Sequence, residues 1–253
     1  MSFGIKMLRF PKVDCISIPM SYVAGLIGKN PWKHVGEETE QVFKRYNSKV
    51  LNNVPIEKNE QELINDLENN HNEFYQKYVH AIKIKKLERE ANVLMQKLCK
   101  KYKKSYKNHR LLLLKRRGFY LESAAREAYC RKFETTCAQV NRAFLYISED
   151  MKIHHSPIPN AVMRLVGKAD GITPDNSIIE LKCRRSGFKT LFFETLQLSI
   201  YVIAYKAKSG RLVEFFEGNI MTRAIAKEDA YENWNCIKEK FHDWLCFARN
   251  CMF

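Results

Sequence analysis

The sequence predicts a mixed fold of the α/β or α+β class, with a central mixed β-sheet, helices on its faces and a helical N-terminal region. Segments rich in branched and aromatic residues occur at 139–148, 161–170 and 177–183, separated by polar or proline-containing turns, as is typical of strands. Residues 190–206 are too long and too continuously apolar for an edge strand, which favours a helix packed on the sheet. Because strands and helices alternate in this half of the chain, we expect the helices to cover the sheet.

The N-terminal half is predicted to be helical. Ser21 is expected to cap a short apolar helix that ends at Gly28, and a second short helix is expected over 36–48. No Gly or Pro interrupts residues 57–107, where apolar residues recur at gaps of three and four. This spacing indicates a long amphipathic helix or a helical hairpin. Gly118 is expected to begin the next helix.

A hairpin loop, a further strand pair and a final helix are predicted in the C-terminal part of the chain. Residues 171–177 contain Gly, Pro, Asp and Asn and are expected to form a hairpin loop. The segments 211–217 and 220–226 are expected to form a further strand pair. A final helix is predicted from apolar residues at gaps of three and four, namely Trp234, Ile237, Phe241, Trp244 and Ala248.

The amino-acid composition indicates which binding partners and which cellular location to expect. The net charge of +15, from 43 Lys and Arg against 28 Asp and Glu, attracts extended polyanions, so nucleic acid is the first expected partner and an anionic membrane surface the second. No segment approaches the ~20 apolar residues of a membrane span, and no signal-peptide core is evident, so we expect a soluble intracellular protein without membrane association. The eight cysteines include no Cys-x-x-Cys pair, which favours reduced thiols.

Charged residues interrupt the apolar pattern of the stretch VGKADGITPDNSIIELKC at 166–183. In a strand, residues i and i+2 point to the same face, so Glu180 and Lys182 project together, and a hairpin can bring Asp170 beside them. Converging carboxylates are costly to desolvate unless a cation lies between them, and hard oxygen ligands select Mg²⁺ or Mn²⁺. A lysine there is suited to hold or help deprotonate a water that attacks phosphorus. The alternative is an ordinary surface ion pair between Glu180 and Lys182.

Five segments together resemble one family, the lambda exonuclease-like, viral recombinase-type nucleases of the PD-(D/E)XK superfamily, to which viral alkaline exonucleases are related. The resemblance is carried by GKADG followed ten residues later by ELKC, then by TLQLSIY, and upstream by GFYLESAAREAY and SYVAGLIGKNPW. It implies a restriction-endonuclease-like core with a central mixed sheet. Because the chain contains no internal repeat and no low-complexity linker, a single nuclease domain over 1–253 is expected, with the catalytic core at about 111–253. The charged helical insertion or arm at about 50–110 matches none of the family's motifs.

The resemblance assigns the metal chemistry to the hairpin. Asp170 and Glu180 match the metal-binding carboxylates, the Leu181 carbonyl a further metal ligand, and Lys182 the catalytic lysine. The implied cofactor is Mg²⁺, with Mn²⁺ able to substitute and two ions per site.

The resemblance also assigns catalytic and supporting roles to helical residues. Glu122 matches the glutamate of the helix before the sheet, which helps to hold the metal directly or through water; the alternative is an i,i+4 ion pair with Arg126 on an exposed helix face. Gln197 and Tyr201 match the family's Gln-x-x-x-Tyr signature. Gln197 is expected to orient groups in the active site, with Tyr201 in a supporting role.

Residues around the motif are expected to contact DNA. Ser21 and Trp32 match the segment that in this family helps to bind the 5′ end, where a helix start offers N–H groups to an anion and a tryptophan stacks on or wedges a terminal base. The arginine that the family places before this serine is not evident, which leaves a preference for 5′-phosphorylated ends open. Phosphate contacts are predicted for Lys168, Arg184, Arg185 and Lys189. The alternative for these four is a solvated basic rim.

Together these features predict a metal-dependent deoxyribonuclease that degrades duplex DNA from its ends in the 5′ to 3′ direction, in viral or phage-like recombination, replication or repair. Two alternatives stay open: an endonuclease with the same core, and a basic DNA-binding module with a vestigial site. The expected partners are duplex DNA ends, a strand-annealing or single-strand-binding protein, and further copies of the same chain. The expected location is intracellular, and it is the nucleus or a site of viral DNA replication if the chain comes from a eukaryotic virus or host.

Overall fold

A computed structural model describes residues 15–36, 38–39, 41–42, 69, 72–83, 88–101, 106–146, 162–184, 186–189 and 191–252. The first elements are strand β1 (Cys15–Pro19), a 3-10 helix (Met20–Tyr22) and the short helix α1 (Val23–Leu26). Three longer helices follow, α2 (Asn72–Lys83), α3 (Glu88–Lys101) and α4 (Tyr106–Lys132). The predicted insertion at 50–110 therefore lies partly outside the described residues, and α4 runs continuously across its end.

The second half contains the sheets. Its elements, in chain order, are β2 (Ala143–Tyr146), β3 (Val162–Gly167), β4 (Gly171–Ile172), β5 (Ser177–Cys183), α5 (Phe192–Ala204), β6 (Ser209–Phe216), β7 (Asn219–Ala226) and α6 (Lys227–Met252). The predicted strands, the helix at 190–206 and the final helix are confirmed in this order. The predicted hairpin is formed by β4 and β5, whereas β3 pairs with β1 and β2 in the other sheet. Within the described residues, no helix has the length and apolar content needed to cross a membrane.

Two local predictions about the N-terminal half were wrong, and one strand was missed. Strand β1 was not expected; its partner β3 lies far away in sequence, so the pairing is a tertiary effect. Ser21 lies inside the 3-10 helix, where the N-cap is Pro19 and no side chain caps the end. Gly118 lies within α4, because strong helix formers on both sides outweigh the roughly 1 kcal/mol that a glycine costs in a helix.

The strands form two mixed sheets, and the predicted mixed α/β class is confirmed. One sheet has the order β1-β3-β2, with β1 parallel and β2 antiparallel to β3. The other has the order β4-β5-β6-β7, in which β5 and β6 are parallel and the outer pairs are antiparallel. Helix α5 makes the crossover that the parallel pair requires.

The two faces of β5 meet different helices. Ile178 packs in the main core, which includes residues of α5 and α6 such as Leu198 and Trp234. Ile179 and Leu181 pack in a second cluster, against α4. Because side chains alternate along a strand, Glu180 and Lys182 share the face of Ile178 and point towards α5. The predicted common face of this pair is therefore also the face covered by the crossover helix.

Candidate active site

The hairpin between β4 and β5 places the Asp170 carboxylate against the backbone of β5. The Asp170 N–H donates to the Ile179 carbonyl at 3.1 Å, and Asp170 Oδ2 accepts a hydrogen bond from the Leu181 N–H at 2.6 Å. The turn itself is closed by the Thr173 N–H, which donates to the Ser177 carbonyl at 3.0 Å. These contacts fix the side-chain direction of Asp170, which the sequence could only place near the strand.

Glu180 connects the hairpin to the crossover helix. Its Oε1 accepts hydrogen bonds from Lys182 Nζ at 2.7 Å and from Gln197 Nε2 at 3.2 Å. Gln197 Nε2 also donates to the Tyr201 hydroxyl at 3.2 Å. Glu180 is only 5% exposed, so its ion pair with Lys182 is not the ordinary surface pair of the alternative interpretation. The structure thus brings Asp170 and the whole predicted Glu-x-Lys and Gln-x-x-x-Tyr sets into one cluster.

Burial and charge act on the protonation of this cluster. Burial, followed by repulsion from the Glu180 carboxylate, raises the pKa of Asp170 to about 7. Burial alone would lower the pKa of Lys182, but the charge and hydrogen bond of Glu180, followed by the charge of Glu194, outweigh it and the pKa is raised. Burial also raises the pKa of the Tyr201 hydroxyl. Lys182 is therefore protonated at neutral pH, whereas Asp170 is divided between its two forms.

The close approach of helix α5 to the end of β3 depends on Gly167. A Cβ atom at this position would lie 2.6 Å from Tyr201 Cε1 and 2.8 Å from Met20 Sδ, so any side chain would push the tyrosine away from Gln197. Tyr205 lies four residues beyond Tyr201, and its hydroxyl accepts a hydrogen bond from the Ala169 N–H at 3.3 Å while donating to the Asn141 carbonyl. Tyr205 thus holds the backbone directly before Asp170.

Glu122 lies at the edge of the cluster, on helix α4. Its Oε1 accepts a hydrogen bond from Arg126 Nη2 at 3.0 Å, and the same nitrogen donates to the Asp170 carbonyl at 2.8 Å. Burial, followed by the charge of Asp170, raises the pKa of Glu122, although Arg126 and Lys168 oppose this. The predicted i,i+4 ion pair exists, and it also connects α4 to the hairpin. Sequence reasoning treated Arg126 only as a surface partner and missed this connection.

Ser21, Trp32 and Lys168 are exposed near the cluster. Pro19 pairs with Val166 in parallel strands, so Ser21 and Lys168 follow neighbouring strand ends at one edge of the sheet; both are exposed. Trp32 is 66% exposed, and its ring packs edge-to-face on Phe193 of α5 at 5.5 Å between centroids. Since Phe193 precedes Gln197 by one helical turn, Trp32 lies beside the helix that carries Gln197.

The basic residues after β5 differ from one another. Arg184 was predicted to contact phosphate, but its guanidinium is bound to the buried carboxylates of Glu194 and Glu214 and is only 13% exposed. Arg184 Nη2 also donates to the Lys189 carbonyl at 2.6 Å. This arrangement corrects the prediction for Arg184, because a guanidinium so engaged supports the loop instead of facing solvent. Lys189 is exposed, and Arg185 lies outside the described residues.

A divalent cation fits the donor set of this cluster. Asp170 Oδ1 and Glu180 Oε2 accept no hydrogen bond from any residue that the structure describes, while the other oxygen of each carboxylate is engaged. A cation between the two carboxylates would relieve the repulsion that raises the Asp170 pKa. In the described ranges, no three His, Cys, Asp or Glu side chains form a metal site. Two carboxylates with water and substrate phosphates are a donor set that Mg²⁺ commonly uses in proteins.

Comparisons with known proteins give matches only among solved structures, since no protein-family model and no curated protein matches the chain. SSO0001 is 21% identical over 50% of this chain and 56% of that chain, with a TM-score of 0.36. The alkaline exonuclease LHK-Exo from Laribacter hongkongensis is 16% identical over 54% of this chain and 69% of that chain, with a TM-score of 0.38. Its complex with dAMP is matched at 16% identity over 54% and 70%, with a TM-score of 0.36. The match thus spans little more than half the length of SSO0001.

Proposed function

We propose that this protein is a metal-dependent deoxyribonuclease that degrades duplex DNA from its ends in the 5′ to 3′ direction. The observation that carries the proposal is the convergence of Asp170, Glu180, Lys182 and Gln197 in one hydrogen-bonded cluster at the edge of the sheet. Two carboxylates and an ammonium group on a rigid strand pair are the set that phosphodiester hydrolysis uses with a divalent cation. The resemblance to PD-(D/E)XK nucleases supports the same reaction and supplies the proposed direction.

Each residue of the cluster has its own proposed role in phosphodiester hydrolysis. Asp170 and Glu180 would hold the cation, with the Leu181 carbonyl as a further ligand. A bound Mg²⁺ supplies a Lewis acid for the phosphoryl oxygen and lowers the pKa of a coordinated water. Because Lys182 Nζ carries its proton at neutral pH, it is suited to orient the attacking water and to stabilise the negative charge that develops on the phosphate. Gln197 fixes Glu180 from the helix side.

Contacts to the DNA are proposed for exposed groups around this cluster. The charge of +15 favours a polyanionic substrate. Lys168 and Lys189 are exposed on either side of the hairpin motif and are proposed to contact phosphates. Trp32 presents an open ring face beside α5 and is proposed to stack on a terminal base, while Ser21 lies at the same sheet edge as Lys168.

Digestion of linear and closed circular duplex DNA tests the proposal. The wild-type chain should shorten linear DNA in Mg²⁺ and leave it intact in EDTA, and closed circles should resist because they offer no end. Glu180→Gln keeps the size of the side chain but removes the charge, and should abolish shortening. Linear substrates with 5′-phosphate and 5′-hydroxyl ends determine the end preference. Cutting of closed circles would replace the exonuclease with an endonuclease, and cutting in EDTA would disprove the metal dependence.

The proposed cation site predicts pH-dependent metal affinity in the absence of DNA. Because a pKa of about 7 leaves Asp170 mostly protonated at pH 6, cation binding must displace that proton there. Affinity for Mn²⁺, measured by calorimetry, should therefore rise about tenfold between pH 6 and pH 8, with about one proton released per bound cation at pH 6 and almost none at pH 8. Asp170→Asn should lose the binding. An affinity unchanged between pH 6 and pH 8 would contradict the assignment of Asp170 as a ligand.

The same raised pKa means that the cation-free folded state binds this proton more tightly than the unfolded chain, so the free energy of unfolding should fall as pH rises towards 7.

A further inference from the structure

An open groove of about 390 Å³ lies along helix α4 beside the candidate active site. Its described lining consists of Phe119, Tyr120, Glu122, Ser123, Arg126, Glu127 and Gln139. Phe119, Glu122, Ser123 and Arg126 follow the spacing of one helix face. The groove therefore extends one face of α4 outwards from the point where Arg126 binds the Asp170 carbonyl.

The outer end of the groove is an exposed aromatic platform. Phe119 is 65% exposed and packs edge-to-face on Tyr120, at 5.8 Å between ring centroids. The Tyr120 hydroxyl is hydrogen-bonded to the Tyr75 hydroxyl of helix α2 at 2.8 Å. The platform is therefore supported from a second helix. An exposed ring that is held in place by neighbouring side chains is suited to stack on a nucleobase, because every base has an aromatic face.

The charges in the groove select which part of a nucleotide fits. Glu122 and Glu127 bring two carboxylates against the single guanidinium of Arg126, so the lining repels a phosphate group. Ser123 and Gln139 add a hydroxyl and an amide, both of which donate and accept hydrogen bonds. A planar, uncharged group with donors and acceptors on its edge satisfies this lining, and a nucleobase is such a group.

The distance to the cluster suits a base near the cleaved bond. Phe119 precedes Arg126 by seven residues, which is about 10 Å along the helix axis, and Arg126 contacts the hairpin directly. We propose that this groove is a nucleobase subsite, in which an unpaired base of the DNA strand stacks on Phe119 next to the phosphate that a cation bound by Asp170 and Glu180 would hold. This inference rests on the proposed nuclease function and deepens it, because it names a frayed or single-stranded segment as part of the substrate.

Binding of labelled DNA in EDTA tests the subsite separately from cleavage. A duplex with a short single-stranded overhang is compared with a blunt duplex by fluorescence anisotropy. Phe119→Ala should weaken binding of the overhang duplex roughly 5- to 100-fold, whereas Phe119→Trp, which keeps a stacking ring, should retain it. The matched control is Phe247→Ala, an exposed phenylalanine on α6, which should change binding by less than about twofold.

The outcomes separate the subsite from the nuclease proposal. Equal binding of the overhang duplex by wild type, Phe119→Ala and Phe119→Trp would disprove the subsite, whether or not the protein cleaves DNA. Overhang binding that depends on Phe119 in a chain without nuclease activity would support the subsite and reject the proposed function. Deoxyadenosine monophosphate is added as a competitor. If it binds in a Phe119-dependent way while Phe119→Ala leaves overhang binding unchanged, the groove binds a free nucleotide. The proposal that the groove binds a base of the DNA strand is then wrong.

Discussion

Replacing Lys182 with alanine should lower the rate of DNA cleavage by roughly 10²- to 10⁴-fold, the range associated with a positioned acid–base or charge-stabilising group. Lys182 Nζ lies 2.7 Å from Glu180 Oε1, so the ammonium group is already held beside the carboxylate that would bind the cation. The variant should still bind DNA, because one of 43 Lys and Arg residues contributes little to the overall attraction. The measurement is single-turnover cleavage alongside equilibrium DNA binding.

Lys189→Ala is the matched control for this experiment. Lys189 is exposed and follows the same strand, so its loss should weaken DNA binding modestly and reduce its salt dependence, with little change in the cleavage rate of bound DNA. Thermal unfolding of both variants separates chemistry from stability. Normal turnover by folded Lys182→Ala would remove the lysine from the mechanism and leave the Glu180–Lys182 contact as a structural ion pair.

The central part of the candidate site could be predicted because strand and helix periodicities are local. Glu180 and Lys182 are two residues apart and share a strand face, and Gln197 and Tyr201 are four apart and share a helix face. Such spacings constrain direction wherever the element lies. That Gln197 reaches Glu180 depends on the parallel β5–β6 pair, whose strands α5 connects. The sequence indicated a helix packed on the sheet at 190–206 but not the parallel pairing of the strands on either side of it.

The missed features depend on contacts between distant segments. Strand β1 exists through its pairing with β3, and Arg126 reaches the Asp170 carbonyl from a helix that precedes the sheet. Tyr205 continues the four-residue spacing of Gln197 and Tyr201, so the sequence indicated that it lies on the same helix face. Its partner, the Ala169 N–H, was not, because only the folded turn brings that group within hydrogen-bond distance.

Arg184 was misjudged for a related reason, since sequence shows charge but not burial. Basic residues usually stay exposed, and a run that contains Arg184 and Arg185 suggests a phosphate-binding rim. The partners that bury Arg184 lie on two other elements, Glu194 on α5 and Glu214 on β6. Both glutamates are buried, and a buried carboxylate is costly unless it is paired or hydrogen-bonded.

Replacing Arg184 with methionine should therefore destabilise the fold by about 3–5 kcal/mol, the usual cost of removing one partner from a buried ion pair. The Glu194 and Glu214 side chains are 6% and 2% exposed, so water cannot replace the guanidinium without opening the loop. Urea unfolding monitored by circular dichroism gives the free energy of unfolding. A second variant that also carries Glu194→Gln and Glu214→Gln should regain part of the loss, because the uncompensated charges are gone.

The control for Arg184→Met is an exposed ion pair of the same chain. Lys240 and Asp243 are 3.5 Å apart on α6, and their side chains are 49% and 67% exposed, so Lys240→Met should change stability by no more than about 1 kcal/mol. Equal, small losses in Lys240→Met and Arg184→Met would show that Arg184 is solvated and return it to the predicted phosphate-binding rim. A large loss of stability confined to Arg184→Met would instead establish Arg184 as the residue that fixes the loop after Lys182. Glu194, which Arg184 binds, also contributes to the raised pKa of Lys182, so this loop is connected to the candidate site.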